Sequence, residues 1–226
     1  TMLHATLAAN GMETADGVHI RLMVTRGVKS TPYQDPRFTI TPATIVIIPE
    51  YKTARAETLI QGVRLYTVST RRGRPDVQDP KWNSHSKLNC ISACIQAAQA
   101  GADEGLMLDP QGFVATCNST HFFIVRHPDG PAGPPEVWTS TGDYCMPGIT
   151  RRNVLRLCDN DGITAREKNF SLTECYGATE AFVTGTFAGI APVTEIDGRT
   201  IGTGKRGPMV AALQQRYIEL LDEECG

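Results

Sequence analysis

The sequence predicts an α+β fold, and three observations carry that expectation. Apolar runs of strand length outnumber helical patterns along the chain. Three or four helical segments are scattered among those runs rather than gathered at one end. There is no regular βαβ repeat and no phosphate-loop lysine motif. At 226 residues the chain has the length of one or two domains. A chain of this size buries roughly 70% of its extended surface, so its core needs neither a disulfide nor a metal.

In order, residues 2–10 read as a helix that Asn10-Gly11 ends. Residues 18–24 run apolar around Arg21 and read as a strand, and residues 27–37 form a loop punctuated by Pro32 and Pro36. Residues 44–49 contain Ile-Val-Ile-Ile and read as a buried strand, and residues 62–69 as another. Arg71, Arg72 and Arg74, with Pro75 and Pro80, form a connector whose arginines read as a solvated loop. Residues 86–100 follow as a helix, with Leu88, Ile91, Ile95 and the alanines as its apolar face.

Residues 104–109 are a strand, Pro110-Gln111-Gly112 a tight turn into Phe113-Val114, and residues 121–126 a further strand. A loop over 128–135 leads to a short strand at 137–139. A helix over 150–159 takes Thr150 as its N-cap. A short strand lies near 163–167, and Ser171 with Glu174 marks the next helix start. Residues 181–184 and 192–195 are strands, Asp197-Gly198 is a turn, and residues 207–221 form the last helix, with Pro208 in its first turn.

Composition excludes several classes. Hydrophobic residues make up 41% and charged residues 20%, which is not the balance of a disordered chain. The 22 Lys+Arg against 24 Asp+Glu give a net charge of -2, so generic nucleic-acid binding is not expected. No apolar run reaches the length of a membrane span, and Thr1-Met2-Leu3-His4 does not open a signal peptide. The seven cysteines, an odd number in a large chain, fit reduced and mostly buried thiols in a cytoplasmic protein. Cys90 and Cys94 share one helix face without a partner pair, so no metal site is expected. Gly202-Thr203-Gly204-Lys205-Arg206-Gly207 matches Gly-x-Gly-x-x-Gly, but it precedes the last helix with no βαβ unit after it and reads as a flexible glycine loop.

Four short motifs then occur in a telling order: Leu22-Met-Val-Thr-Arg-Gly27, Glu104-Gly-Leu-Met-Leu-Asp109, Gly148-Ile-Thr-Arg151, and Thr184-Gly-Thr-Phe-Ala188 ahead of Ala191-Pro-Val193. Over nearly its whole length the chain resembles the class IV aminotransferases. These are pyridoxal-phosphate enzymes that include branched-chain, D-amino acid and R-selective amine aminotransferases and aminodeoxychorismate lyase. The resemblance implies a D-amino acid aminotransferase-like fold, with the end of a small N-terminal domain and connector strands over 1–75 and a large cofactor-binding domain over 76–226. It also implies that most of the small domain, including an arginine that contacts the cofactor phosphate, is absent. A fragment, a processed chain and a divergent short form are the alternatives. A homodimer acting on an amino donor and a keto acceptor is expected with it.

The same resemblance assigns roles to individual residues, each with a plainer alternative. Gly148, Ile149 and Thr150 would bind the cofactor phosphate through free N–H groups and a hydroxyl, or form an ordinary helix start. Gly185, Thr186 and Phe187 would supply the second phosphate contact, Phe187 through its N–H alone, or make a plain turn. His19 and Arg21, two apart on a strand, would hold the substrate carboxylate, or lie on the surface. The chemistry requires a lysine that bonds to the cofactor and then moves the α-proton. Lys87 is the candidate and Lys81 a second, although an ungapped match puts Asn83 at the family lysine. Thr116 stands where relatives carry the glutamate that keeps the cofactor's ring nitrogen protonated, and His121 stands where an asparagine is common. The expected function is therefore a pyridoxal-phosphate-dependent transaminase of a branched-chain or other amino acid or amine. The alternative is a lyase-like or inactive relative that acts as a binding protein.

Overall fold

The computed structural model describes residues 1–130 and 132–225. Residue 131, inside the loop expected over 128–135, lies outside the described residues. The chain forms two compact units, Thr1–Ala54 and Arg55–Gly226.

In the first unit, helix α1 (Met2–Ala9) starts at Thr1, whose hydroxyl accepts the His4 N–H at 3.4 Å. Strands β1 (Val18–Thr25) and β2 (Thr44–Tyr51) form a two-stranded antiparallel sheet, with His19 opposite Glu50 and Arg21 opposite Ile48. The loop between them contains a short 3-10 turn, Pro36–Phe38, capped by the Asp35 carboxylate.

The second unit holds helix α2 (Ala56–Gln61), strand β3 (Val63–Thr67), helix α3 (Leu88–Gln99) and strands β4 (Glu104–Leu108), β5 (Val114–Cys117), β6 (His121–Arg126) and β7 (Glu136–Thr139). It continues with α4 (Ile149–Asn160), β8 (Ala165–Glu167), α5 (Leu172–Tyr176), β9 (Glu180–Gly185), β10 (Gly189–Ile196), β11 (Arg199–Thr200) and α6 (Pro208–Cys225). Its strands build one mixed sheet in the order β5-β4-β3-β10-β9-β6-β7-β8, with β11 paired to β10. The β3–β4, β3–β10 and β7–β8 pairs are parallel and the others antiparallel. The α+β expectation holds.

Alternation along β6 shows why this sheet is covered on both faces. Phe122 and Ile124 point into a core with Leu65, Leu106, Phe170 and Ile196, while Phe123 and Val125 point into a second core with Val154, Phe182, Val210 and Leu213. Phe123 and Phe182 stack with ring centroids 4.8 Å apart. Helices α4 and α6 supply the second core through Val154, Cys158, Val210 and Leu213. The Glu180 carboxylate accepts the Met209 and Val210 N–H groups at 3.0 and 2.9 Å and so caps α6.

Several elements depart from expectation. Helix α2 and strands β5 and β11 are additional and short, and β10 is longer than residues 192–195. Pro192 lies inside β10, whose pairing with β3 begins only at Val193, so the residue without an N–H precedes that ladder. The apolar face of α3 is also corrected. Leu88, Ile91 and Ile95 are exposed, and the helix buries Ala93 and Ala97 instead. The cause is close packing on β4, where a Cβ at Gly105 would stand 3.0 Å from the Ala93 carbonyl oxygen, so only small residues fit between helix and sheet. The glycine loop is packed rather than loose: a Cβ at Gly202 would meet the Thr179 carbonyl, and one at Gly207 the Glu180 carboxylate.

Strand β4 begins with a buried carboxylate. Glu104 accepts the Ser119 N–H and hydroxyl, each at 2.7 Å, and the Thr120 hydroxyl at 2.8 Å. Replacing Glu104 with alanine strands these donors, and urea denaturation is expected to show a loss of about 1–3 kcal/mol, with Glu104→Gln losing less.

Candidate functional site

The second unit contains a cavity of about 480 Å³. Its walls are the connector after β3, the start of α3, the turn between β5 and β6, and Met146. Lys87 sits at the N-cap of α3 and lines this cavity, while Lys81 and Asn83 are not among its lining residues. The Lys87 carbonyl accepts the Ile91 N–H at 2.9 Å, which opens the helix, and the ammonium makes no hydrogen bond or ion pair among the described residues.

Thr116, on β5 and opposite Met107 in the ladder, lines the same cavity. Its hydroxyl donates to the Thr120 carbonyl at 2.7 Å, so the oxygen is left with acceptor capacity and no proton to give. His121 opens β6, with Nε2 2.7 Å from the Met146 carbonyl oxygen, which requires a proton on Nε2. Burial holds its pKa below the ordinary 6.5, against the partial opposing effect of the Met146 bond, so the ring is neutral near pH 7.

The His121 ring also determines the shape of the α4 start. A Cβ at Gly148 would fall 2.2 Å from its Cε1 atom. Gly148 therefore takes the N-cap place in extended backbone, φ -64° and ψ 133°, and Thr150 becomes the second helical residue. This corrects the expectation that Thr150 is the cap. Freed from capping, its hydroxyl is buried without a partner, at 2% exposure. The leading N–H groups of a helix lack intrahelical acceptors, so this end presents backbone donors beside that hydroxyl.

Across the sheet, Thr184 pairs with His121, and its hydroxyl is likewise buried and unpartnered. Gly185 follows, with a virtual Cβ only in ordinary contact with Thr120 at 3.5 Å. Thr186 and Phe187 are exposed in the turn between β9 and β10. The structure thus sets Gly148 against the His121 ring and pairs His121 with Thr184, the residue before Gly185, while Lys87, Thr116 and His121 line one cavity. His19 and Arg21 belong to the first unit, on one face of β1, where His19 Nδ1 lies 3.1 Å from Glu50.

Two arginines stand out that the sequence did not single out as buried. Arg72 is 8% exposed, not solvated as expected, whereas Arg71 and Arg74 are exposed. Its backbone N–H donates to the Leu108 carbonyl at 2.9 Å, which holds the connector against the end of β4. Its Nε donates to the Tyr144 carbonyl at 2.9 Å, and its Nη1 to the Cys90 sulfur at 3.1 Å. Arg151, also 8% exposed, donates from Nη2 to the Ser140 carbonyl and to Glu167, each at 2.6 Å, and so anchors α4 to β8. Nothing local in the sequence distinguishes either from an exposed arginine. Both burials arise from contacts distant along the chain.

The family model for amino-transferase class IV matches residues 1–196. The chain belongs to the class IV aminotransferase family. The chain is 39% identical to branched-chain-amino-acid aminotransferase-like protein 2 of Arabidopsis thaliana, over 96% of its own length and 37% of that protein's. To the putative branched-chain-amino-acid aminotransferase of Methanocaldococcus jannaschii it is 37% identical, over 95% of this chain and 70% of that one. The branched-chain amino acid aminotransferase from Thermobaculum terrenum, solved in its PLP-form, superposes with a TM-score of 0.81 at 25% identity, over 96% of this chain and 69% of that one. The fold is therefore the class IV aminotransferase fold, and the cofactor of the family is pyridoxal 5'-phosphate. The chain spans 37% and 38% of the length of the two similar Arabidopsis proteins.

Two outcomes follow for this class IV aminotransferase-family chain. Gly148→Ala forces a clash with the His121 ring and is expected to cost about 1–3 kcal/mol in urea denaturation, with His121→Ala in the same chain restoring part of it. Because the folded-state pKa of His121 is depressed, its contribution to stability is full above pH 6.5 and is lost as pH falls from there through the folded value. Unfolding measured across that range should show the loss in the native protein, and His121→Gln should lack that component.

Proposed function

We propose that this chain binds pyridoxal 5'-phosphate and acts as an aminotransferase, taking an amino group from a branched-chain or other amino acid or amine and passing it to a 2-oxo acid. The observation that carries this is the place of Lys87, the lysine in the wall of the cavity that Thr116 and His121 also line. The residues fit the cofactor's phosphate, because the buried Thr150 hydroxyl has no partner within the protein and stands in the first turn of α4. Gly148, Ile149 and Thr150 would hold the phosphate with the N–H groups of Gly185, Thr186 and Phe187 and the Thr186 hydroxyl. Bound there, the cofactor supplies an electrophilic carbon for the amine and a ring that draws electrons from the substrate's α-carbon.

The remaining work belongs to the chain. Lys87 would hold the cofactor and then take and return the proton at the α-carbon. Neutral His121 fixes the loop before α4 through Met146. His19 and Arg21 keep their assignment to the substrate carboxylate, supported by the resemblance and by the absence of a side-chain partner for Arg21 among the described residues. A homodimer and a cytoplasmic setting belong to the same proposal, the second supported by free thiols at all seven cysteines. No helix among the described residues is long and apolar enough to cross a membrane.

A second reading, a lyase-like or inactive binding protein, is favoured by Thr116. By the resemblance it would offer the ring nitrogen a neutral oxygen, its hydroxyl already bonded to Thr120, where relatives carry a carboxylate. The deciding experiment adds pyridoxal phosphate to the purified protein, reduces it with borohydride and maps the labelled peptide. A label on Lys87, together with amino transfer that falls by about 10²–10⁴-fold in Lys87→Ala, is the expected result. A label on Lys87 without amino transfer selects the second reading. A label on another lysine removes the role of Lys87, and no label removes the cofactor.

A further inference from the structure

We propose that a second recess, of about 690 Å³ and outside the Lys87 cavity, binds a small carboxylate with an apolar or aromatic body. Its walls come from the end of β3 and the residues after it, the C-terminal half of α3, Leu108 of β4 and Leu172 of α5. Arg71 is the only charged side chain among the described residues that line it. The two spaces share that residue alone. Its Nη1 donates to the Val68 carbonyl at 3.1 Å, and Val68 lines the recess and not the first cavity, so the guanidinium is held on the recess side. No carboxylate lies within ion-pair distance of Arg71 among the described residues, and its Nε and Nη2 make no hydrogen bond there.

The rim is fixed before any ligand arrives. The Gln96 Oε1 atom accepts the Ser69 N–H at 2.8 Å and the Ser69 hydroxyl at 2.9 Å, and its Nε2 donates to the Thr70 hydroxyl at 2.9 Å. These bonds hold the stretch that carries Arg71, so little ordering remains to be done on binding. The N–H groups of Thr67, Val68 and Ser69 are all spent within the protein. The anion therefore meets a guanidinium fork rather than a row of backbone donors, which suits the two oxygens of a carboxylate. The Tyr66 hydroxyl and the Gln99 amide, in the same wall, have no partner among the described residues and remain able to bond. Val68, Leu108, Leu172 and the Tyr66 ring supply apolar contact for the body of the ligand.

The test titrates benzoate, benzamide and inorganic phosphate into the protein without added cofactor, at constant ionic strength. It follows the thermal unfolding midpoint, which rises when a ligand binds the folded state. A saturable rise with benzoate is expected, with neither benzamide nor phosphate matching it. Arg71→Gln should weaken the apparent affinity for benzoate by at least about tenfold. Gln99→Trp places an indole in the recess from the exposed end of α3 and should abolish the response, whereas Lys87→Ala should retain it. No rise in the native protein, or an unchanged affinity in Arg71→Gln or Gln99→Trp, overturns the proposal. A response lost in Lys87→Ala places the ligand in the first cavity and overturns it equally, and a matching response to phosphate overturns the carboxylate assignment. Should Gln99→Trp fail to fold, Gln99→Arg and Tyr66→Phe take its place, and an affinity unchanged in both overturns the proposal. A protein that takes no cofactor yet binds benzoate in this pattern keeps this inference and removes the transaminase proposal.

Discussion

The site depends on one carboxylate that takes no part in its chemistry. Glu104 gathers three hydrogen bonds from Ser119 and Thr120, and the neighbouring Gly105 N–H donates to the Asn118 side chain at 2.6 Å. Together these bonds tie the start of β4 to the turn between β5 and β6. Thr116 precedes that turn and His121 follows it, so both side chains take their place from it. The imidazole then passes the constraint onward, to Met146 by a hydrogen bond and to Gly148 by contact, and so sets where α4 begins. A buried carboxylate on β4 thereby bears on a helix start on another element without touching it.

Charge is distributed unevenly around this frame. Arg151 is buried and paired with Glu167, and Arg166 is paired with a Glu136 carboxylate held below the ordinary carboxylate value, chiefly by the Arg166 hydrogen bond. Arg72 is buried as deeply as Arg151 without such a partner. Two of these cations therefore serve the architecture, while the third retains unsatisfied donor capacity beside open space. Cys117, in the same wall, is pushed in the opposite sense: burial first, and then the Glu104 charge, raise its thiol well above the ordinary value and keep it protonated and inert.

What the sequence revealed followed local periodicity. The paired strands of the first unit, β4, β6, β9, and the helices α3, α4 and α6 lie close to where apolar spacing and turn residues put them. The pieces that escaped, α2, β5 and β11, are too short to show a period. The candidate site was legible through its motif order, which drew Lys87, Thr116 and the two glycine turns into one reading before any of them had a position in space. What spacing could not supply was tertiary. Thr150 looks like a cap until the His121 ring, from a strand well before it in the chain, reserves the place for Gly148. Arg72 looks solvated until Leu108 and Tyr144, from two other segments, close over it. The large residues of α3 look like its core face until β4 admits only alanines.

That last contact bears on how this protein can vary. Helix α3 behaves as a rigid rod whose seat on the sheet is the near-touching pair Ala93 and Gly105 and whose tip is Lys87. At a rise of about 1.5 Å per residue, the seat lies roughly two turns from the tip. A side chain at position 105 presses on the Ala93 carbonyl and on Val68, and any yielding of the helix there shifts the rod that carries the amine. The position of that nitrogen is therefore calibrated by a missing methyl group, at a residue with no chemistry of its own.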